Sequence, residues 1–70
     1  MKIRANNKDY HYNNSNDEPK TLAEFLQRNG FECNKVLVAL NDNIVKICDL
    51  ESTPIKDNDV LDIMNFVGGG

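Results

Sequence analysis

Apolar and polar positions alternate at the start of the chain. Met1, Ile3 and Ala5 fall on one side, Lys2 and Arg4 on the other. That two-residue period predicts a strand with one buried face. Asn6-Asn7-Lys8-Asp9 follows. Asparagine tolerates positive φ, so a tight hairpin turn is expected there. Tyr10 and Tyr12 then alternate with His11 and Asn13, which predicts a short second strand. Residues 13–20, NNSNDEPK, are polar, contain a proline and read as a loop.

The period changes at Thr21. Leu22, Phe25 and Leu26 share one face at helical spacing. Thr21 is a suitable N-cap, and Glu24 three residues later completes a capping box. Gly30, after Asn29, suits the left-handed position beyond a helix end. A helix is expected over residues 22–29.

Residues 36–40, VLVAL, form a continuous apolar run. It is short and β-branched, which predicts a central strand buried on both faces. Asn41-Asp42-Asn43 reads as a turn, and residues 44–47, IVKI, as another short strand. Residues 48–56 read as irregular and include Pro54. Asp57-Asn58-Asp59 is a further turn, and the last strand is expected over residues 60–67.

The order is therefore ββαβββ: an α+β chain with a sheet of four to five strands packed on one helix. Residues 1–67 read as one domain and residues 68–70 as a flexible glycine tail. In the last strand, Leu61, Ile63 and Val67 are assigned to the core. Val60, Asp62, Met64 and Phe66 are assigned to the outer sheet face. An aromatic ring and a thioether exposed close to the tail suit a partner-docking patch.

Composition narrows the function. The chain has 70 residues, too few to bury a large core and enclose a deep substrate cavity as well. Its net charge of −3 argues against nucleic-acid binding, which needs a basic stripe. No apolar run approaches the roughly 20 residues of a membrane span, and MKIRANNKDY lacks the apolar core of a signal peptide. A cytoplasmic protein, monomeric when free, is expected. Glu51, Asp57, Asp59 and Asp62 precede the tail as a solvated acidic group that could steer basic partner surfaces. His11 has no catalytic constellation around it and reads as an exposed strand residue.

Two cysteines, Cys33 and Cys48, are too far apart in sequence for a CxxC pair. With a single histidine they do not make a compact metal site, and two cysteines cannot hold an iron–sulfur cluster. They are expected to be free thiols acting as small apolar residues. A sulfur-relay role would need an electropositive surrounding that the sequence does not display.

The chain ends in NFVGGG, with three of its four glycines in the last three positions. Glycine lacks a side chain that would clash in a narrow channel, and its backbone adjusts freely. Gly68, Gly69 and Gly70 could therefore carry a terminal carboxylate into the active site of another protein. Such endings are also common linker material. The abutment on an apolar final strand favours the carrier reading.

The whole chain resembles the ThiS family of ubiquitin-like sulfur carriers of thiamin biosynthesis. MKIRANNKDY, TLAEFL, VLVALNDNIV and IKDNDVLDIMNFVGGG carry the likeness in order, and the last is the most specific. The family often has Asn-Gly where this chain has Asn41-Asp42, and Asp-Gly-Asp where it has Asp57-Asn58-Asp59. Asparagine preserves such turns. The family's aromatic residue in the loop near residues 48–53 is missing here. The resemblance implies a β-grasp fold, whose last strand lies beside the first in mid-sheet.

It also implies a cycle. A ThiF-type adenylating enzyme activates Gly70 with ATP and Mg²⁺, which it holds itself, so no cofactor is bound by this chain. A persulfide donor converts the adenylate to a thiocarboxylate, and thiazole synthase takes the sulfur. The chain is then a co-substrate and not an enzyme. Three alternatives stand beside this: a molybdopterin-synthase small subunit, a protein modifier joined to lysines, and a plain interaction domain with an incidental tail.

Overall fold

The computed structural model describes residues 1–65. The expectations for Phe66, Val67 and the Gly68, Gly69 and Gly70 tail lie outside the described residues. Six regular elements follow the expected order: β1 (Lys2–Ala5), β2 (Lys8–His11), α1 (Leu22–Arg28), β3 (Val36–Leu40), β4 (Asn43–Val45) and β5 (Val60–Asn65). Short 3-10 turns occupy Cys33–Lys35 and Ile47–Asp49.

The strands make one five-stranded sheet in the order β2-β1-β5-β3-β4. β5 runs parallel to β1 and antiparallel to β3. The last strand is thus beside the first and central in the sheet. This is the mixed sheet and single helix of the β-grasp arrangement.

Asparagine sets both hairpins. Asn6 and Asn7 have φ of 51° and 66°, and Asn41 and Asp42 have φ of 50° and 72°. Two consecutive left-handed residues close a hairpin whose twist matches its strands. Two residues therefore suffice for the first turn, and β2 begins at Lys8, earlier than the tyrosine alternation suggests. Asn58, at φ 68°, supplies the turn before β5.

Helix α1 is only seven residues long, so its ends matter. Thr21 Oγ1 accepts from the Glu24 N–H at 3.2 Å. Glu24 Oε1 accepts from the N–H of Lys20, one residue before the cap. The Leu22 and Ala23 N–H groups donate to the carbonyls of Thr53 and Leu50. The donors left over at a helix start are thus satisfied from two directions. At the other end Gly30 takes φ 82°. Phe31 N then reaches Leu26 O and Gly30 N reaches Gln27 O, which closes the carbonyl end.

The helix buries Leu22, Phe25 and Leu26 against one face of the sheet. Ile3, Ala5, Val36, Val38, Leu61 and Ile63 meet them there. Tyr10 packs edge-on to Phe25 at 5.1 Å. The segment read as irregular contributes Leu50, 1% exposed, and Ile55 to the same core. The chain turns away after Val45 to bring Leu50 inward, so Ile47 lies in a 3-10 turn instead of β4.

Strand β3 departs from expectation. Val36 and Val38 are buried, but Leu37, Ala39 and Leu40 are only half-buried. One helix covers one face of the sheet, so alternate residues of a central strand still face outward. No helix among the described residues is long and apolar enough to cross a membrane.

Candidate functional site: the outer sheet face

The open sheet face is assembled from cross-strand rows. Met64 on β5 is opposite Leu37 on β3. Asp62 is opposite Ala39, which is in turn opposite Ile44 on β4. Val60 is opposite Arg4 on β1, which faces Asp9 on β2. Directly opposed residues share a face, so these eight residues line one surface. Met64 and Ile44 are 61% and 62% exposed, and Val60 is 42% exposed.

This surface changes character along β5. Toward Asn65 it is apolar, with Met64 and Leu37 side by side. Toward Val60 it is charged, with Arg4 Nε 3.2 Å from Asp9 Oδ1. That pair is exposed on both sides and contributes little to stability. Asp62 stands between the two zones. Exposed apolar side chains grouped on one face are the usual mark of an interaction surface.

The alternation of β5 thus places Val60, Asp62 and Met64 on the outer face, as expected; Phe66 lies outside the described residues. Leu37, Ala39 and Ile44 are additions. Sequence reasoning missed the first two by reading residues 36–40 as doubly buried. The signal was available: a chain with one helix cannot cover both faces of its sheet.

Asp59 leaves the expected acidic group. It is 8% exposed, with Oδ1 accepting from Asn41 Nδ2 and Oδ2 from the Lys56 N–H. It holds the approach to β5 and is not a solvated steering charge. Asp57 is exposed but also engaged, accepting from the Lys2 N–H at 2.8 Å. His11 is exposed at the end of β2. Cys33 and Cys48 are both free, the first half-buried and the second exposed.

Two shallow clefts flank the lower part of the sheet, of about 230 and 250 Å³. One is lined by Lys2, Arg4 and Asp9, the other by Leu40, Pro54 and Lys56. Both fall below the roughly 300–1,000 Å³ of ordinary small-molecule sites. Among the described residues no group of three or more histidine, cysteine or carboxylate side chains is placed to hold a metal ion.

The fold and the sequence both match known proteins. The sequence pattern of the ThiS family matches residues 3–70, through the final glycine. The chain belongs to the ThiS family. The sulfur carrier protein ThiS of Thermus thermophilus is 34% identical over 53 residues, which cover 76% of this chain and 83% of that one. The crystal structure of the thiamine biosynthesis protein ThiS from Geobacter metallireducens superposes with a TM-score of 0.78 at 25% identity, covering all of both chains. A solution structure of a thiamine biosynthesis protein from the same organism gives 0.76 at 25% identity, covering all of this chain and 88% of that one. In this ThiS-family chain, β5 is the last described element before the glycines in sequence.

Proposed function

We propose that this chain carries sulfur for the thiazole ring of thiamin as a thiocarboxylate on Gly70. The observation that supports this most directly is the family match, which runs unbroken from the sheet to residue 70. The names of both kinds of relative favour the thiamin pathway over molybdopterin synthesis or protein modification.

The chemistry follows from the weakness of a carboxylate as an electrophile. A ThiF-type adenylating enzyme, holding ATP and Mg²⁺, joins the Gly70 carboxylate to AMP and releases pyrophosphate. The terminal sulfur of a persulfide attacks the carbonyl and expels AMP. A thiol then reduces the resulting acyl disulfide, leaving the thiocarboxylate. Thiazole synthase receives this sulfur and returns the carboxylate. The chain is a co-substrate throughout. Gly69 and Gly70 enter the partner, and Gly68 lends reach.

The folded domain is the handle. Met64, Leu37 and Ile44 give the partner an apolar face, with Val60 and Asp62 at its lower edge and Phe66 next along the chain. The cycle needs ATP and reduced thiols, which the cytoplasm, or an organelle that encodes the chain, supplies.

The test is the intact mass of the protein after incubation with ATP, a ThiF-type enzyme and a persulfide source. A gain equal to one oxygen exchanged for sulfur is expected, and it should vanish when Gly70 is deleted. No gain with an enzyme active on another carrier would overturn the assignment.

A further inference from the structure

β5 is held unequally along its two edges. On the β3 side the pairing continues to Asn65, opposite Val36. On the β1 side backbone pairing stops early. Arg4 N donates to Asp59 O and Asn6 N donates to Leu61 O, both at 3.0 Å. The chain then turns away through Asn6 and Asn7. A continued strand would have offered its own backbone to Ile63, which is buried and whose polar groups need partners.

The Asn6 side chain supplies them. Its Oδ1 accepts from Ile63 N at 2.8 Å, and its Nδ2 donates to Ile63 O at 3.1 Å. One primary amide thus stands in for a length of strand. Ile63 is the last residue of β5 bonded on the β1 side, since Met64 and Asn65 pair only with β3.

We propose that Asn6 is a positioning residue for the sulfur-accepting end. This rests on the carrier reading above. Gly70 follows Ile63 by seven residues (63 to 70), a span of roughly 23–25 Å when extended. A shift at Ile63 moves the point from which those residues set out. By fixing the last residue bonded on the β1 side, Asn6 narrows the directions in which the end of β5 presents the chain beyond it. Less ordering is then needed when a partner takes it up. Once the tail is seated, the partner's channel sets the geometry at the carbonyl. The effect therefore falls on KM and not on kcat.

The fold supplies its own control. Asn41 also occupies the first left-handed position of a hairpin and also grips β5, accepting from Val60 N at 2.9 Å. It acts at the opposite end of the strand from the tail. Asn6→Gly and Asn41→Gly each keep the positive φ without strain; the first removes both bonds to Ile63, the second the bonds to Val60 and Asp59. Asn6→Asp is a second variant, which keeps an acceptor for Ile63 N but sets a carboxylate oxygen against Ile63 O.

The experiment measures thiocarboxylate formation against carrier concentration with a ThiF-type enzyme, and amide hydrogen exchange at Ile63. N6G is expected to raise KM about three- to tenfold, with faster exchange at Ile63. Its kcat should stay within about twofold of the parent value. N41G should leave KM unchanged, and N6D should follow N6G if the glycine variant folds poorly. A parent-like KM in N6G or N6D despite faster exchange would overturn the proposal, as would an equal rise in N41G. If the parent protein itself is never loaded, the carrier reading fails and takes this proposal with it. If the parent loads and the Asn6 variants match it, only the positioning role fails.

Discussion

The Asn41 side chain donates to the buried carboxylate of Asp59 at 3.0 Å, from a turn eighteen residues earlier in the chain. The Asn41 backbone N–H also donates to Val60 O at 2.8 Å. Asp59 in turn caps its own loop through the Lys56 N–H at 2.7 Å. Two turns are locked together where β5 begins. Asp59→Ala is expected to lower the unfolding free energy by about 2 kcal/mol, since it strands two donors that served a charged acceptor. Urea unfolding measures this. Parent-like stability would show that the approach to β5 is held without the carboxylate.

The helix should be sensitive at its N-cap. Thr21 Oγ1 is the side-chain acceptor for the α1 N-terminus, on a helix of seven residues. Thr21→Ala should cost about 1 kcal/mol, a fall in Tm of roughly 4–8 °C for a domain this small. Thr21→Ser should recover most of the loss. If serine and alanine behave alike in a thermal melt, the hydroxyl is not the cause.

Leu50 should matter more than its irregular surroundings suggest. Its side chain is fully enclosed, and its carbonyl receives the Ala23 N–H at 3.1 Å. Leu50→Ala should lose about 2–5 kcal/mol through lost burial and the cavity left behind. Much of a small domain's stability would then be gone. Broadened amide spectra and a lowered urea midpoint are the expected readouts; sharp spectra with an unmoved midpoint would contradict the packing described.

Met64 separates docking from folding. It lies exposed beside Leu37 on the open face. Met64→Asp should change stability by no more than about 0.5 kcal/mol. Affinity for the adenylating enzyme should fall about tenfold or more as a charge enters an apolar contact. Calorimetric titration of the two proteins decides this, and an unchanged Kd would move the docking surface elsewhere.

The parts of this fold that announce themselves in sequence are periodic or local. Lys2 to Ala5 alternate; Leu22, Phe25 and Leu26 keep helical spacing; Asn6-Asn7 and Asn41-Asp42 mark left-handed turns. Gly30 closes the helix for the same local reason. What stayed hidden is long-range or aperiodic. Leu50 and Ile55 are single apolar residues in a stretch with no period, so nothing signals their burial. Asp59 sits between turn residues and reads as solvated, because its partner Asn41 is remote in sequence. The outward turn of Leu37 follows only from counting helices against sheet faces. For the site, the outer placement of Val60, Asp62 and Met64 was legible from the alternation of β5. The neighbours that Leu37 and Ile44 provide depend on strand register, which no local pattern encodes.

The central place of β5 has a mechanical consequence. A partner that drew on the chain beyond Asn65 in line with this strand would load it along its axis. Its bonds to β1 and β3 lie across that axis on both sides. The load is therefore shared by many bonds in shear, instead of opening them one after another as it would on an edge strand. The geometry that delivers the carboxylate also lets the domain be tugged without coming apart.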